Sequence, residues 1–200
     1  VADLVGVSNG SPFFHYGNKE GVLLEFVKRM FSGQFRMVEH MTCGDNDPLL
    51  LYGMETTLQM HIVEISEPLR ELYVTAYTLP STSAYIIEGM EKKLAVIFGS
   101  FRPRATEQDW ALLELATAGI TRSFMAQPCT EKLTMECKLR SYLSSCYKLF
   151  NVPAARYEPL IEQILRIDFA PKAREIIAET VRKVDEGYEA AMAGMDAPKK

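Results

Sequence analysis

The sequence contains few residues that could bind a metal ion or cross-link the chain. Among its 200 residues there are four cysteines and three histidines, and no two cysteines form a CxxC pair. No histidine follows a glutamate by three residues, which excludes the Glu-x-x-His pattern of helical di-iron proteins. A nucleophile elbow, a phosphate-binding loop and a catalytic pair of carboxylates are also missing. We therefore expect no metal, no cofactor and no enzymatic activity, and reduced thiols in a cytoplasmic protein.

The sequence also lacks long apolar runs, strand patterns and a basic excess. No apolar run approaches the roughly 20 residues that a membrane span needs, so we expect no membrane segment. Strict alternation of apolar and polar residues, which is typical of half-buried strands, does not extend over any segment of useful length. The net charge is −4, which gives no overall sign of nucleic-acid binding but allows a local basic site.

Helical periodicity is present along almost the whole chain after residue 19. Apolar residues recur at i, i+3, i+4 and i+7, and most segments begin at a capping residue or a proline. This pattern predicts an all-α protein. The predicted helices span residues 19–42, 48–65, 68–79, 81–98, 107–127, 130–150, 154–168 and 171–193.

Residues 6–21, "GVSNGSPFFHYGNKEG", combine turn-forming and aromatic residues in a short space. Gly6 suits the left-handed position that follows a helix. Ser8 is a good N-cap for a short helix, and Asn18 is a good N-cap for the long helix that starts at Lys19. Two helices joined by a tight turn and followed by a long helix form the outline of a helix-turn-helix. Small polar residues at the start of the short helix suit a DNA groove.

The segment "VADLVGVSNGSPFFHYGNKEGVL" resembles the recognition region of the tetracycline-repressor (TetR) family, whose members typically read "IAxxAGVSxGxxYxHFxxKExL". The matching positions are Gly6, Val7, Ser8, Gly10, His15, Lys19, Glu20 and Leu23, and Tyr16 replaces the usual Phe. The resemblance implies a homodimeric transcriptional regulator, usually a repressor that a small-molecule effector releases from its operator. It implies an N-terminal helix-turn-helix domain over residues 1–31 and a helical effector-binding and dimerisation domain over residues 32–200.

The resemblance also implies which residues contact the double-stranded DNA operator. They are Asn9, Gly10, Ser11, Phe13, His15 and Lys19. Lys19 would bind a phosphate beside the free amides at the start of the long helix. His15 has two interpretations, a contact with the DNA backbone or a packing role beneath the short helix. Phe13 stands where the family favours Tyr, so a phosphate-contacting hydroxyl is absent.

The charges around this motif leave a second interpretation open. Between Val1 and Phe31 three basic residues balance three acidic ones, whereas DNA affinity depends largely on neutralising phosphates. We expect the family's first helix and further basic residues to lie upstream. The alternative is a helical ligand- or partner-binding module whose degenerate helix-turn-helix no longer reads DNA.

The expected effector pocket is lined by apolar and aromatic residues, so the effector is expected to be largely apolar. The candidate residues are Met54, Met60, His61, Tyr73, Tyr77, Tyr85 and Arg122. His61 is equally well interpreted as a core histidine that is hydrogen-bonded to the backbone. Arg122, within an apolar stretch, is either an anion partner in the pocket or an interface residue.

Two helices, over 107–127 and 130–150, are expected to form the four-helix bundle of the dimer. Small residues on the first helix would let a partner helix approach closely, and the second helix contributes a mixed apolar face. The candidate interface residues are Ala116, Gly119, Leu139, Tyr142, Leu143 and Cys146.

Overall fold

A computed structural model describes the backbone of residues 47–195 and the side chains of residues 47–182, together with Gly21, Leu23, Leu24, Val27 and Lys28. The described part of the chain contains seven α-helices and no strand, which confirms the all-α prediction. The helices are α1 (Pro48–Ile65), α2 (Glu67–Ala76), α3 (Pro80–Phe98), α4 (Glu107–Ala126), α5 (Met135–Leu149), α6 (Ala154–Leu165) and α7 (Ala170–Met195). A short 3₁₀ turn, Gly99–Phe101, follows α3.

Helix α1 is the centre of the fold and packs against each of the other six described helices. Thirteen of its 18 residues are buried, on all sides of the helix. A surface helix would present one polar face to solvent, whereas a helix that is buried all round has none. A buried polar side chain on α1 can therefore be satisfied only by a partner inside the protein.

One glycine allows α1 and its neighbours to come close together. A Cβ atom at Gly53 would lie 2.5 Å from the Cδ1 atom of Ile164 and 2.5 Å from the hydroxyl oxygen of Tyr147. Because the glycine leaves this space free, the Tyr147 hydroxyl reaches the α1 backbone and donates a hydrogen bond of 2.7 Å to the carbonyl of Leu49. This contact joins α5 and α6 to the central helix.

Local capping explains where most helices begin. The Asp47 side chain accepts a hydrogen bond from the Leu49 amide at 3.0 Å, so α1 starts at Pro48 as its sequence predicts. Thr106 and Asp109 form a reciprocal capping box at the start of α4. These two boundaries agree with the sequence-based prediction.

The predicted helix over 130–150 starts too early. The Thr130 side chain accepts a hydrogen bond from the Leu133 amide at 3.0 Å, and this contact closes a turn instead of a helix. Helix α5 begins five residues later, where Thr134 accepts from the Cys137 amide at 3.2 Å. Since both threonines are good caps, the sequence pattern alone selects the wrong one.

Candidate functional site

The interior of the helical domain contains a group of polar side chains from four neighbouring segments, which we call the polar cluster. It consists of Tyr52 and Glu55 on α1, Tyr77 directly after α2, Glu114 and Thr121 on α4, and Tyr142 and Cys146 on α5. All of these residues except Tyr77 are buried, and part of Tyr77 reaches the surface while its hydroxyl lies inside. The cluster is unusual for a core because it includes two carboxyl groups.

Two members of the polar cluster are firmly paired. The hydroxyl groups of Thr121 and Tyr142 form a hydrogen bond of 3.0 Å between α4 and α5. The thiol of Cys146 lies close to the hydroxyl groups of both Tyr142 and Tyr52. Burial raises the pKa of this thiol to about 12, so it remains neutral and unreactive at physiological pH.

Two other atoms in the cluster have no hydrogen-bond partner among the described residues. They are the buried hydroxyl of Tyr52, which lies beside the Cys146 thiol, and the buried Oε2 atom of Glu114. Glu114 is only 3 % exposed and Glu55 only 4 % exposed. An unpaired polar group in the interior costs about 1–3 kcal/mol. The fold therefore retains these groups at a cost to its stability.

The two carboxyl groups are shifted strongly towards the neutral form. Burial raises the pKa of Glu114 to about 8. Burial also raises the pKa of Glu55 to about 8, and the opposing influence of Lys93 is smaller. Both carboxyl groups act electrostatically on the Tyr77 hydroxyl, whose pKa is raised chiefly by burial. At neutral pH the two carboxyl groups are therefore mostly protonated, and a positive charge bound nearby would favour the release of these two protons.

The structure brings only some of the predicted pocket residues to the polar cluster. Tyr77 belongs to it, and Tyr73 lies beside Tyr77. Met54 and Met60 are buried in the hydrophobic core. Tyr85 is exposed, with its ring 5.9 Å from the Nζ atom of Lys28.

Arg122 and His61 lie in different surroundings from the polar cluster. Arg122 is exposed on α4, which favours a surface role over an anion partner in the interior. The His61 ring stacks on Phe169 at 5.7 Å between centroids. Burial lowers its pKa, and the opposing effects of Asp168 and Glu64 are smaller. This stacked, largely neutral imidazole fits the interpretation of His61 as a core histidine better than a role in the polar cluster.

The predicted dimer residues divide into two groups. Leu139, Tyr142, Leu143 and Cys146 on α5 are buried within the single chain. These four residues are therefore interpreted as core residues and not as dimer contacts, because a second chain cannot reach side chains that are buried within the first. Ala116 and Gly119 on α4 are exposed and remain available.

The six predicted DNA contacts lie outside the described residues. They are Asn9, Gly10, Ser11, Phe13, His15 and Lys19. Most of the long helix predicted over 19–42 also lies outside them. Of its described residues, Leu23 and Val27 are helical and buried, as the apolar stripe of that helix predicts.

Sequence reasoning did not select Glu55 or Glu114 as site residues. A signal for Glu114 was present, since it occupies the same helical face as Trp110, Thr117, Ala118 and Thr121, all of which are buried. A glutamate on such a face faces the core. For Glu55, the flanking run "YGMETTLQM" contains no other charged residue, which is the pattern of a fully buried helix.

Two further findings limit what this site can be. Within residues 47–182 and the few described residues before them, no three His, Cys, Asp or Glu side chains are grouped so as to hold a metal ion. No helix in the described part of the chain has the length and apolar character needed to cross a membrane.

The described fold and site thus define an all-helical domain with an ionisable interior. No known family model matches the chain, and neither a curated protein nor a solved structure is detectably similar to it.

Proposed function

We propose that the chain is a TetR-like transcriptional regulator that works in the cytoplasm as a homodimer and leaves its DNA operator when a small molecule binds the helical domain. The observation that carries the proposal is the polar cluster, where Glu114 and Tyr52 each have a buried polar atom with no hydrogen-bond partner among the described residues. A buried group without a partner suits a ligand that supplies the missing partner. The DNA-binding part of the proposal is supported by the resemblance of the N-terminal motif to a recognition region.

The resemblance of residues 1–23 to a recognition region is tested by DNA binding of the full-length protein. Lys19→Ala should weaken binding to all DNA sequences alike and lower the salt slope by about one unit, because one phosphate contact is lost. The measurement is a gel shift with operator and random duplexes over a range of salt concentrations. Lys92→Ala, at an exposed position on α3, is the matched control and should leave binding unchanged. Unchanged operator affinity in Lys19→Ala would contradict the assignment of the motif.

For the homodimer, the supporting feature is the exposed face of α4. Leu112 and Leu115 are each 57 % exposed, next to Ala116 and Gly119. A Cβ atom at Gly119 would meet nothing within 4 Å, so a helix of a second copy has space to approach there. A two-fold axis through this face would place the same small residues opposite one another.

The dimer is tested by placing a charge on this face. Leu115→Glu should convert the protein to monomers in sedimentation velocity experiments, because a carboxylate would be buried in the contact. Val96→Glu is the control, since Val96 is 82 % exposed and lies on a different helix, α3. A Leu115→Glu protein that remained dimeric would exclude α4 as the interface.

A second function follows from the charge balance near the motif. Because the charges of residues 1–31 cancel, a helical ligand-binding module without DNA affinity is the competing proposal. The same gel shift separates the two. Binding that is absent at low salt favours the module, and salt-dependent binding favours the regulator.

A further inference from the structure

The polar cluster differs from an ordinary core in the balance of its charges. Glu114 on α4 and Glu55 on α1 are both buried, and both act electrostatically on the Tyr77 hydroxyl. Among the described residues, the Oε2 atom of Glu114 has no hydrogen-bond partner. In the carboxylate form this oxygen is an acceptor inside the protein that no described side chain uses.

The neighbours of the two carboxyls come from several helices. Tyr52 on α1 and Cys146 on α5 interact electrostatically with Glu114, and Tyr77 after α2 interacts with both carboxyls. Tyr142 on α5 lies beside Tyr77 and Cys146. Phenols and a thiol with raised pKa values are neutral at pH 7. The remaining neighbour is Lys93 on α3, whose charge acts on Glu55. None of the described cations is resolved as acting on Glu114.

This arrangement discriminates between classes of ligand. An anion would meet two carboxyl groups and no described cation beside Glu114. A hard metal ion requires about six oxygen ligands, and the described residues provide no group of three candidate ligand residues. An organic cation would pair with the carboxylates, and cation–π attraction to the neighbouring tyrosine rings would add to that pairing.

We infer that the effector is an organic cation, an ammonium compound with an apolar or aromatic body, held by Glu114 with help from Glu55 and the surrounding tyrosines. This inference rests on the proposed function in taking the bound molecule to be the effector. On binding, the carboxylic acid of Glu114 loses its proton to solvent, and the resulting carboxylate pairs with the ammonium group. The exchange conserves charge, since one cation enters the site for each proton that leaves.

The first measurement is calorimetry of the full-length protein with benzyltrimethylammonium, whose charge does not change with pH. Its neutral carbon isostere, neopentylbenzene, and the anion 3-phenylpropionate serve as comparison ligands. The cation should bind more tightly than either of them. In buffers of different ionisation enthalpy, its binding at pH 7 should release about one proton for each carboxyl that ionises.

The second measurement is the pH dependence of that binding. Because the acid form of Glu114 must ionise, affinity for the cation should rise about tenfold per pH unit for each carboxyl between pH 6 and pH 7.5. The variant Glu114→Gln should weaken binding of the cation by about tenfold or more and reduce the number of protons released. Glu158→Gln, at an exposed position on α6, is the matched control and should bind like the native protein.

Each outcome decides one of the two proposals. Equal binding of the cation and the neutral isostere, no proton release, or no binding of the cation at millimolar concentration overturns the inference. The pH series uses the native protein, so it decides even where Glu114→Gln fails to fold. If DNA binds and a neutral or anionic compound releases it, the regulator stands and the cation is excluded. If the cation binds with proton release but DNA does not bind, the regulator fails and the ligand class stands.

Discussion

Lys138 and Glu114 are both ionisable residues inside the helical domain, but their surroundings are opposite. Lys138 is fully buried and donates hydrogen bonds to Glu64 Oε2 at 3.1 Å and to the carbonyl of Gln127 at 2.5 Å. The other carboxylate oxygen of Glu64 accepts from the Cys129 amide at 2.9 Å. Glu114, by contrast, has an oxygen that no described residue contacts through a hydrogen bond.

The comparison distinguishes an ionisable group that stabilises the fold from one that is available for binding a ligand. Lys138 ties the loop between α4 and α5 to the central helix, so its charge is used within the fold. Burial alone would raise the pKa of Glu64, but hydrogen bonds from Cys129 and Lys138 outweigh it and lower the pKa. No such compensation reaches Glu114, whose pKa is raised to about 8 by burial. An interior charge that the fold does not use is the better candidate for ligand binding.

The largest loss of stability from a single substitution is expected where the partnered charge is removed. Lys138→Met should destabilise the protein by about 3 kcal/mol, because the Gln127 carbonyl and the Glu64 carboxylate lose their donor. Urea unfolding followed by circular dichroism measures this change. Lys132→Met, at an exposed site in the neighbouring loop, should change stability by less than about 0.5 kcal/mol. A small loss of stability in Lys138→Met would contradict the contrast between Lys138 and Glu114.

A second effect is the pH dependence of stability that comes from the buried carboxyls of Glu55 and Glu114. The unfolded pKa of Glu55 and Glu114 lies near 4.5 and the folded pKa near 8. Between these values the folded state holds protons that the unfolded state has lost. The free energy of unfolding should therefore fall as pH rises, by about 1 kcal/mol per pH unit for each carboxyl. Below about pH 4.5 this contribution is fully present.

Glu114→Gln tests the assignment of that slope. An amide resembles the protonated acid and does not ionise, so the variant should match the native protein near pH 5 and exceed its stability near pH 8. Unfolding curves at pH 5, 6.5 and 8 give the comparison, with Glu158→Gln as the control. A native protein whose stability rises over this interval, with an unchanged slope in Glu114→Gln, would show that the carboxyl ionises freely.

The smallest expected effect is a difference in stability between variants that lack one or the other of two buried tyrosine hydroxyls. The Tyr147 hydroxyl donates to the Leu49 carbonyl, whereas the Tyr52 hydroxyl has no hydrogen-bond partner in the part of the chain that the structure describes. Tyr147→Phe should cost about 1 kcal/mol, and Tyr52→Phe should be neutral or slightly stabilising. Thermal unfolding of the two variants under one condition measures the difference. Equal losses would mean that the Tyr52 hydroxyl is satisfied after all.

The sequence predicted helices better than it predicted the interior of the site. Asp47 followed by Pro48 marks the start of α1 unambiguously, because both residues favour a helix N-terminus. Thr130 and Thr134 are equally good caps, and only the hydrogen bonds of the folded loop decide between them. Whether Leu139 faces its own core or a partner also depends on packing, because both environments require an apolar residue.

Buried carboxyl groups are harder to find from sequence, since most glutamates on helices lie at the surface. Glu114 shares a helical face with Trp110, which indicates that its side chain faces the core. Whether a described residue forms a hydrogen bond with its Oε2 atom depends on the side chains of α1 and α5, which pack near α4 but are distant from it in sequence. The pairing of Lys138 with Glu64 was likewise not predicted, because 74 residues separate them.

The rate at which the buried thiol of Cys146 is alkylated can also be used to measure how often the interior opens. It is inaccessible and its pKa is raised to about 12, while Cys137 on the same helix is exposed. An alkylating reagent should therefore modify Cys137 at once and reach Cys146 only during moments when α5 separates from its neighbours. The labelling rate at Cys146 reports how often the interior opens, and a molecule that fills the polar cluster should slow it.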